Sequence, residues 1–105
     1  MLNLNLFAIT GIVKSKPVKY QTKNGKFYTT LEVMSDRQYA DMYGNKLQDV
    51  YTFKFWGDFA DMVMSLNVGD LVGVKGRLQT DSYTDKNNTT RYSIVLIPES
   101  ITMNK

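Results

Sequence analysis

In the stretch 49–61, Tyr51, Phe53 and Phe55 alternate with Val50, Thr52, Lys54 and Trp56. A β-strand sends successive side chains to opposite faces, so the first set reads as a buried face. The second sets a cation two residues from the only Trp of the chain, a pairing that a plain solvated face has little reason to carry. A flat aromatic beside a Lys on an open sheet suits a nucleobase that stacks while its phosphate is held. The competing use of Trp56 is to close one end of the core. Lys75 and Arg77, at outward parity on a later strand, join Lys54 as cations that can track a polyanionic backbone; singly, each is an ordinary solvated charge. Tyr28 is outward on an earlier strand. Tyr83 sits between Ser82 and Thr84 in a polar loop where burial is not expected, and Tyr39 lies in a connection where Tyr43 offers it a packing partner. Arg91 and Tyr92 read equally well as a polyanion contact or as a structural pair.

The chain is poorly equipped for catalysis. It has no Cys and no His, which removes disulfides, thiolate chemistry, Cys-based zinc sites and the commonest general base. Asp58, Asp61 and Asp70 invite a metal or nuclease reading. Two of them fall at a helix start and one at a turn, however, where capping and the helix dipole account for them, and a nuclease needs converging carboxylates. No catalytic residue, metal ion or cofactor is expected. The net charge of +3 and pI near 9.1 permit a polyanionic partner without demanding one. At 105 residues, 43% hydrophobic, the chain is long enough for one domain with a real core, spanning 1–105, and too short for a second. No apolar run approaches the roughly 20 residues of a membrane span. The N-terminal run 1–7 lacks the basic start and apolar stretch of a signal peptide, so a cytoplasmic protein is expected.

The elements that must position these residues read as five strands and one short helix. Strand one runs over 4–14, with Gly11 at a bend or bulge. Residues 15–25 form a loop containing Pro17 and Asn24-Gly25, the strongest hairpin signal in the sequence. Strand two covers 26–35, with Phe27, Thr29, Leu31 and Val33 inward. A polar connection over 36–46 leads to strand three, 47–56. From Asp58, placed as N-cap, the period becomes helical through Phe59, Met62, Val63 and Leu66, and Gly69 follows the end. Strand four spans 71–80, with Val72, Val74 and Leu78 inward and Gly76 at a bend. A loop over 81–90 precedes strand five, 91–97, which ends at Pro98. One helix between the third and fourth of five strands is the layout of an all-β OB-fold barrel, and glycines inside strands one and four sit where such a barrel coils sharply. An SH3-like barrel is the alternative, with shorter strands and no such helix.

Several short pieces, in order, carry a resemblance across nearly the whole chain. They are Gly11-Ile12-Val13 with Pro17, Asn24-Gly25, and Phe55-Trp56-Gly57-Asp58-Phe59-Ala60-Asp61. After these come Leu66, Gly69-Asp70, Val72, Val74, Gly76, Leu78 and Thr80 at fixed spacing, then Tyr83-Thr84-Asp85 and Arg91-Tyr92. Together they resemble the bacterial and phage single-stranded DNA-binding protein family. The resemblance implies an OB-fold that binds single-stranded DNA with little sequence preference, protects it during replication, recombination or repair, and forms dimers or tetramers. It carries the family's stacking aromatics onto Tyr39, Trp56 and Tyr83. Two further aromatic positions fall on Val50 and Gly73, which puts high affinity or a long wrapped site in doubt. The sequence stops at Lys105 without an acidic, Phe-ending tail, so recruitment of replication proteins through such a tail is not expected. A primosomal assembly protein with weak DNA binding and an RNA-binding OB domain are the alternative readings; stacking does not read the 2′-OH.

Strand one also predicts self-association. Phe7 and Ile9 suit the interior, which leaves Leu2, Leu4 and Leu6 as an apolar row on the other face. An exposed apolar edge is a hazard unless covered, either by a second copy across a twofold axis or by the chain's own segment 97–103.

Overall fold

The computed structural model describes residues 2–104; Met1, which opens the alternating N-terminal run, and Lys105, which ends the sequence, lie outside the described residues. The elements in chain order are β1 (Phe7–Val13), β2 (Val18–Gln21), β3 (Phe27–Ala40), β4 (Lys46–Trp56), α1 (Asp58–Val63), β5 (Leu71–Thr84) and β6 (Thr90–Asn104). The expected long strands and the helix between β4 and β5 are all present, in an antiparallel sheet ordered β2-β3-β1-β5-β6 with β4 on β3. β3 holds this sheet together. One of its edges carries β4 from Tyr28↔Trp56 to Ala40↔Lys46, and the other carries first β2 and then β1.

Period-2 patterning decides what is inside. Thr29, Leu31 and Val33 of β3, Phe53 and Phe55 of β4, and Val72 and Val74 of β5 are buried. The rings of Phe7 and Phe53 stack at 5.7 Å, and Phe55 meets Phe59 edge-on at 4.9 Å. α1 covers one end of this core with Ala60 and Val63, followed by buried Leu66. Thr29 is the buried polar residue among those described, and its hydroxyl donates to the Ala60 carbonyl at 3.0 Å. That bond satisfies a group whose burial is otherwise costly and ties the helix to the sheet. Met62, expected inside, is exposed, because the buried face centres on Val63 and leaves Met62 at its margin. Asp58 is the first helical residue, not the cap. Gly57 is the N-cap, with φ 62°, and makes no side-chain cap bond; the Asp58 carboxylate is left to complement the helix dipole.

The strands extend further than the sequence indicates, and each extension has a local cause. Residues 18–21 form β2, because the edge of β3 not covered by β1 needs a partner and the turn at 22–25 folds the chain back onto it (Thr22 N to Lys26 O, 2.8 Å). β3 and β4 continue to a tight turn at 41–45, and β5 and β6 to one at 85–89. β6 runs past Pro98 to Asn104. Lys75 pairs with Ser100 and Gly76 with Pro98, so Glu99 is an extra residue in a bulge, where a residue without an N–H is tolerated. Both long hairpins project beyond the core, so Leu78 is partly exposed despite its inward parity; Phe27, at the other end of β3, is too. β1 begins at Phe7 and is flanked by β3 and β5, so it is not an edge strand as the apolar row suggested. What lies exposed is the segment before it, with Leu2, Leu4 and Leu6 at 93%, 77% and 63%. Asn5 anchors that segment, its side-chain amide bonding both the N–H and the C=O of Leu78 at 2.9 and 2.8 Å. Among the described residues no helix is long and apolar enough to cross a membrane.

Two glycines permit the coiling. A Cβ on Gly11 would fall 2.3 Å from the Met34 carbonyl oxygen, and one on Gly76 would fall 1.9 Å from that of Ile97, whereas at Gly73 the nearest atom would be 3.8 Å away. Gly76→Ala is therefore expected to destabilise the domain by about 1–3 kcal/mol or more through overpacking against rigid backbone. Gly73→Ala should stay within about 0.5 kcal/mol. Urea denaturation of the two variants measures both.

Candidate nucleic-acid interface

The register that buries Thr29 and Phe55 sends the residues beside them outward together. Tyr28 is the direct partner of Trp56 across β3 and β4, and of Tyr20 across β2 and β3. Directly paired side chains stand on one face about 5 Å apart. The rings accordingly form a row: Tyr20 stacks on Tyr28 at 5.3 Å and 23°, and Tyr28 tilts against Trp56 at 4.9 Å and 41°. The Lys54 ammonium lies 4.8 Å from the Tyr28 ring centroid, a cation–π contact that fixes a positive charge beside flat apolar surface. Trp56 is 47% exposed and does not close the core. Tyr20 was missed because residues 15–25 read as a loop; the signal available was the Val18, Tyr20 alternation ahead of the Asn24-Gly25 turn, since a hairpin needs a strand on both sides.

Trp56 and Lys54 also border a groove of about 770 Å³ between β4 and β6, lined by Val50 and Thr52 on one side and 94–98 on the other, with Phe59, Gln79 and Asp81. Lys75 and Arg77 do not line it. Lys75 is exposed on β5 between Ala8 and Ser100, and Arg77 donates to Gln79 and lies 3.7 Å from Glu99. Outward parity is a property of one strand. β4 and β5 are separated by β3 and β1 in the sheet, so their outward directions diverge as the sheet coils.

Tyr39 and Tyr83 stand near the tips of the two long hairpins, 67% and 55% exposed. Tyr39 belongs to the irregular stretch 37–39, where three residues of β3 oppose Leu47 alone; next to it Arg37 donates a two-pronged bond to Asp49 at 2.9 and 2.7 Å. Arg91 is the cross-strand partner of Tyr83 and donates its Nε–H to Asp85 at 2.9 Å. Each tip is closed by one carboxylate. Asp41 accepts from the N–H of Tyr43 and Asn45, and Asp85 from the N–H of Asn87 and Thr89. These bonds favour the ionised form. The Asp41 carboxyl is held below its ordinary value chiefly by the Asn45 N–H, that of Asp85 chiefly by Arg91, and that of Asp49 by Arg37. Two of the carboxylates that invited a metal reading serve structure: Asp61 pairs with Lys19 at 2.7 Å and Asp70 accepts from the Asn67 N–H at 2.8 Å. Among the described residues no group of three or more His, Cys, Asp or Glu is placed to hold a metal ion.

The profile of the "Single-strand binding protein family" matches residues 4–104. This chain belongs to that family. It is 28% identical to a single-stranded DNA-binding protein of Clostridium tetani over 86% of this chain and 62% of that one. It is also 28% identical to one from Bacillus cereus, over 93% and 58%, so the chain spans about three fifths of the length of these relatives. Among solved structures it is similar to the small single-stranded DNA-binding protein from Streptomyces coelicolor, with TM-score 0.67 and 23% identity, covering 98% of this chain and 96% of that one. That likeness shows the shared OB-fold. The family match spans the aromatic row, the groove and both hairpins. The two positions at which the resemblance placed further aromatics, Val50 and Gly73, lie on the outer face of β4 and on β5.

Because the folded-state values of Asp41 and Asp85 are lowered, their turns are held at neutral pH and lose that contribution as pH falls through the lowered values. The amide resonances of Tyr43, Asn45, Asn87 and Thr89 should titrate with midpoints below the roughly 3.9 of an unperturbed Asp. A pH series of 15N NMR spectra checks this.

Proposed function

We propose that this chain binds single-stranded DNA with little sequence preference, by base stacking on Trp56 supported by the charge of Lys54. The observation that carries this reading is the half-exposed aromatic row with a cation fixed on it at the mouth of a groove. A π-face accepts any base, and a nearby ammonium holds the phosphates. Tyr28 is part of this surface. Tyr39 and Tyr83, on carboxylate-closed hairpins, extend the contact along a longer strand, with Lys75, Arg77 and Arg91 as further cations. The relatives in Clostridium tetani and Bacillus cereus bear the name single-stranded DNA-binding protein, which agrees with a role in protecting exposed strands during replication or recombination.

We infer further that copies of the chain associate through the Leu2–Leu6 segment. Leu4 and Leu6 share a surface hollow with Leu78 and Ile94, and Leu2, Leu4 and Ile94 are largely exposed. Covering such a patch is the usual reason for a contact between copies. Two binding faces on one particle would raise avidity for a long strand.

Oligo-dT should quench the Trp56 emission, and Trp56→Ala should weaken binding by roughly 1–3 kcal/mol with the fold intact. Unchanged emission on saturation, or equal affinity for duplex DNA, would overturn the assignment; preference for oligo-rU would turn it to RNA. The slope of log K against log[salt] should be shallow, and Lys54→Ala should reduce it by somewhat less than one. Light scattering should give a dimer or tetramer at micromolar concentration that Leu4→Lys or Leu6→Lys dissociates, and a monomeric mass for the unmodified protein would defeat the association.

A further inference from the structure

The middle ring of the row is the least available to a base. Tyr28 is touched by Tyr20 on one side and by Trp56 on the other, with the Lys54 ammonium against it, and it is only partly exposed. Ring centroids about 5 Å apart leave no room for a base to enter between neighbours, since base and ring need that spacing themselves. The π-surface open to solvent therefore lies at the two ends of the row, on Trp56 and on Tyr20, exposed 47% and 45%.

Resting on the stacking reading above, we propose that Tyr20 is a second nucleobase platform and that Tyr28 is a positioning residue holding Tyr20 and Trp56 in place. Two features support Tyr20 as a preformed platform. β2 is hydrogen-bonded to β3 along its whole length, so the Tyr20 backbone is fixed although its strand is short. Lys19, next to it, is drawn to the opposite face, where it pairs with Asp61 and lies 4.7 Å from the Phe27 ring, so it does not crowd the Tyr20 ring. A strand lying on the row runs across β2, β3 and β4, roughly perpendicular to them, and continues past Trp56 into the groove beside β6. Bases contact the two ends of the row, and Lys54 faces the backbone between them.

The test is fluorescence titration of the whole protein with oligo-dT. Tyr20→Val keeps β-propensity on an exposed edge strand while removing the ring, and should weaken binding roughly 5- to 150-fold, the factor corresponding to about 1–3 kcal/mol per stacked base. Tyr20→Phe should restore it. Tyr28→Val should lower the fluorescence anisotropy of Trp56 in the free protein, and Tyr28→Phe should return it to the unmodified value, a readout that separates positioning from loss of stability. Unmodified protein that binds oligo-dT together with a Tyr20→Val variant of equal affinity overturns the second platform alone. Unchanged Trp56 anisotropy in Tyr28→Val overturns the positioning role. Unmodified protein that binds neither oligo-dT nor oligo-rU overturns the stacking reading and this inference with it.

Discussion

Burial of Thr29, Leu31 and Val33 on one face of β3, against Phe53 and Phe55 of β4, fixes the register between these strands, and with it almost everything on the outer surface. Strand side chains alternate with period 2, so a slip of one residue would turn Tyr28 and Trp56 inward and expose the core set. The backbones of Tyr28 and Trp56 are thus set side by side without any contact between their rings, and ring contact then fixes only how the rings are held. That alignment of β3 with β4 follows from hydrophobic burial on the opposite side of the same backbone, with the Thr29–Ala60 hydrogen bond locking the helix over that end; Tyr20 joins through the pairing of β2 with β3. Core and outer rings are two readings of one pairing. The outer rings can therefore vary in chemistry without loss of fold, as long as the inner face remains apolar.

Much of this was legible in the sequence because period-2 patterning is a local signal. Thr29, Leu31 and Val33 of β3, Phe53 and Phe55 of β4, Val72 and Val74 of β5 and the outward side of Trp56 were readable from it, whereas Phe27 and Leu78 share the inward parity and lie partly exposed. The helix after Gly57 was readable from its change of period, and the exposure of Tyr83 from its polar neighbours. What escaped were consequences of non-local geometry. β2 looks polar and short, and it is a strand because β3 offers it an edge. β6 continues beyond Pro98 because Gly76, more than 20 residues earlier in the chain, lets the backbone approach closely enough for a bulge. Lys54, Lys75 and Arg77 share parity but not direction, since a coiled sheet points each strand's outer face a different way. Leu2, Leu4 and Leu6 read as the edge of a strand, yet the strand proper begins at Phe7 and lies between two partners.

The strand order divides the molecule by sequence distance. β2, β3 and β4 are joined by tight turns, and α1 follows at once. β1 touches β3 only at its end and pairs along most of its length with β5, Phe7 with Gly76 and Ile12 with Leu71, about sixty to seventy residues away. Contacts of that separation bear the larger loop-closure entropy and form slowly. On a ribosome, the N-terminal strand has no β5 partner until the chain beyond Gly76 has emerged. The Tyr20–Tyr28–Trp56 row lies wholly in the early, locally paired half, whereas closure of the core waits for the late half. The aromatic row is thus drawn from the part of the chain that can begin to fold first, and a stalled or truncated product would display those rings on an unclosed sheet.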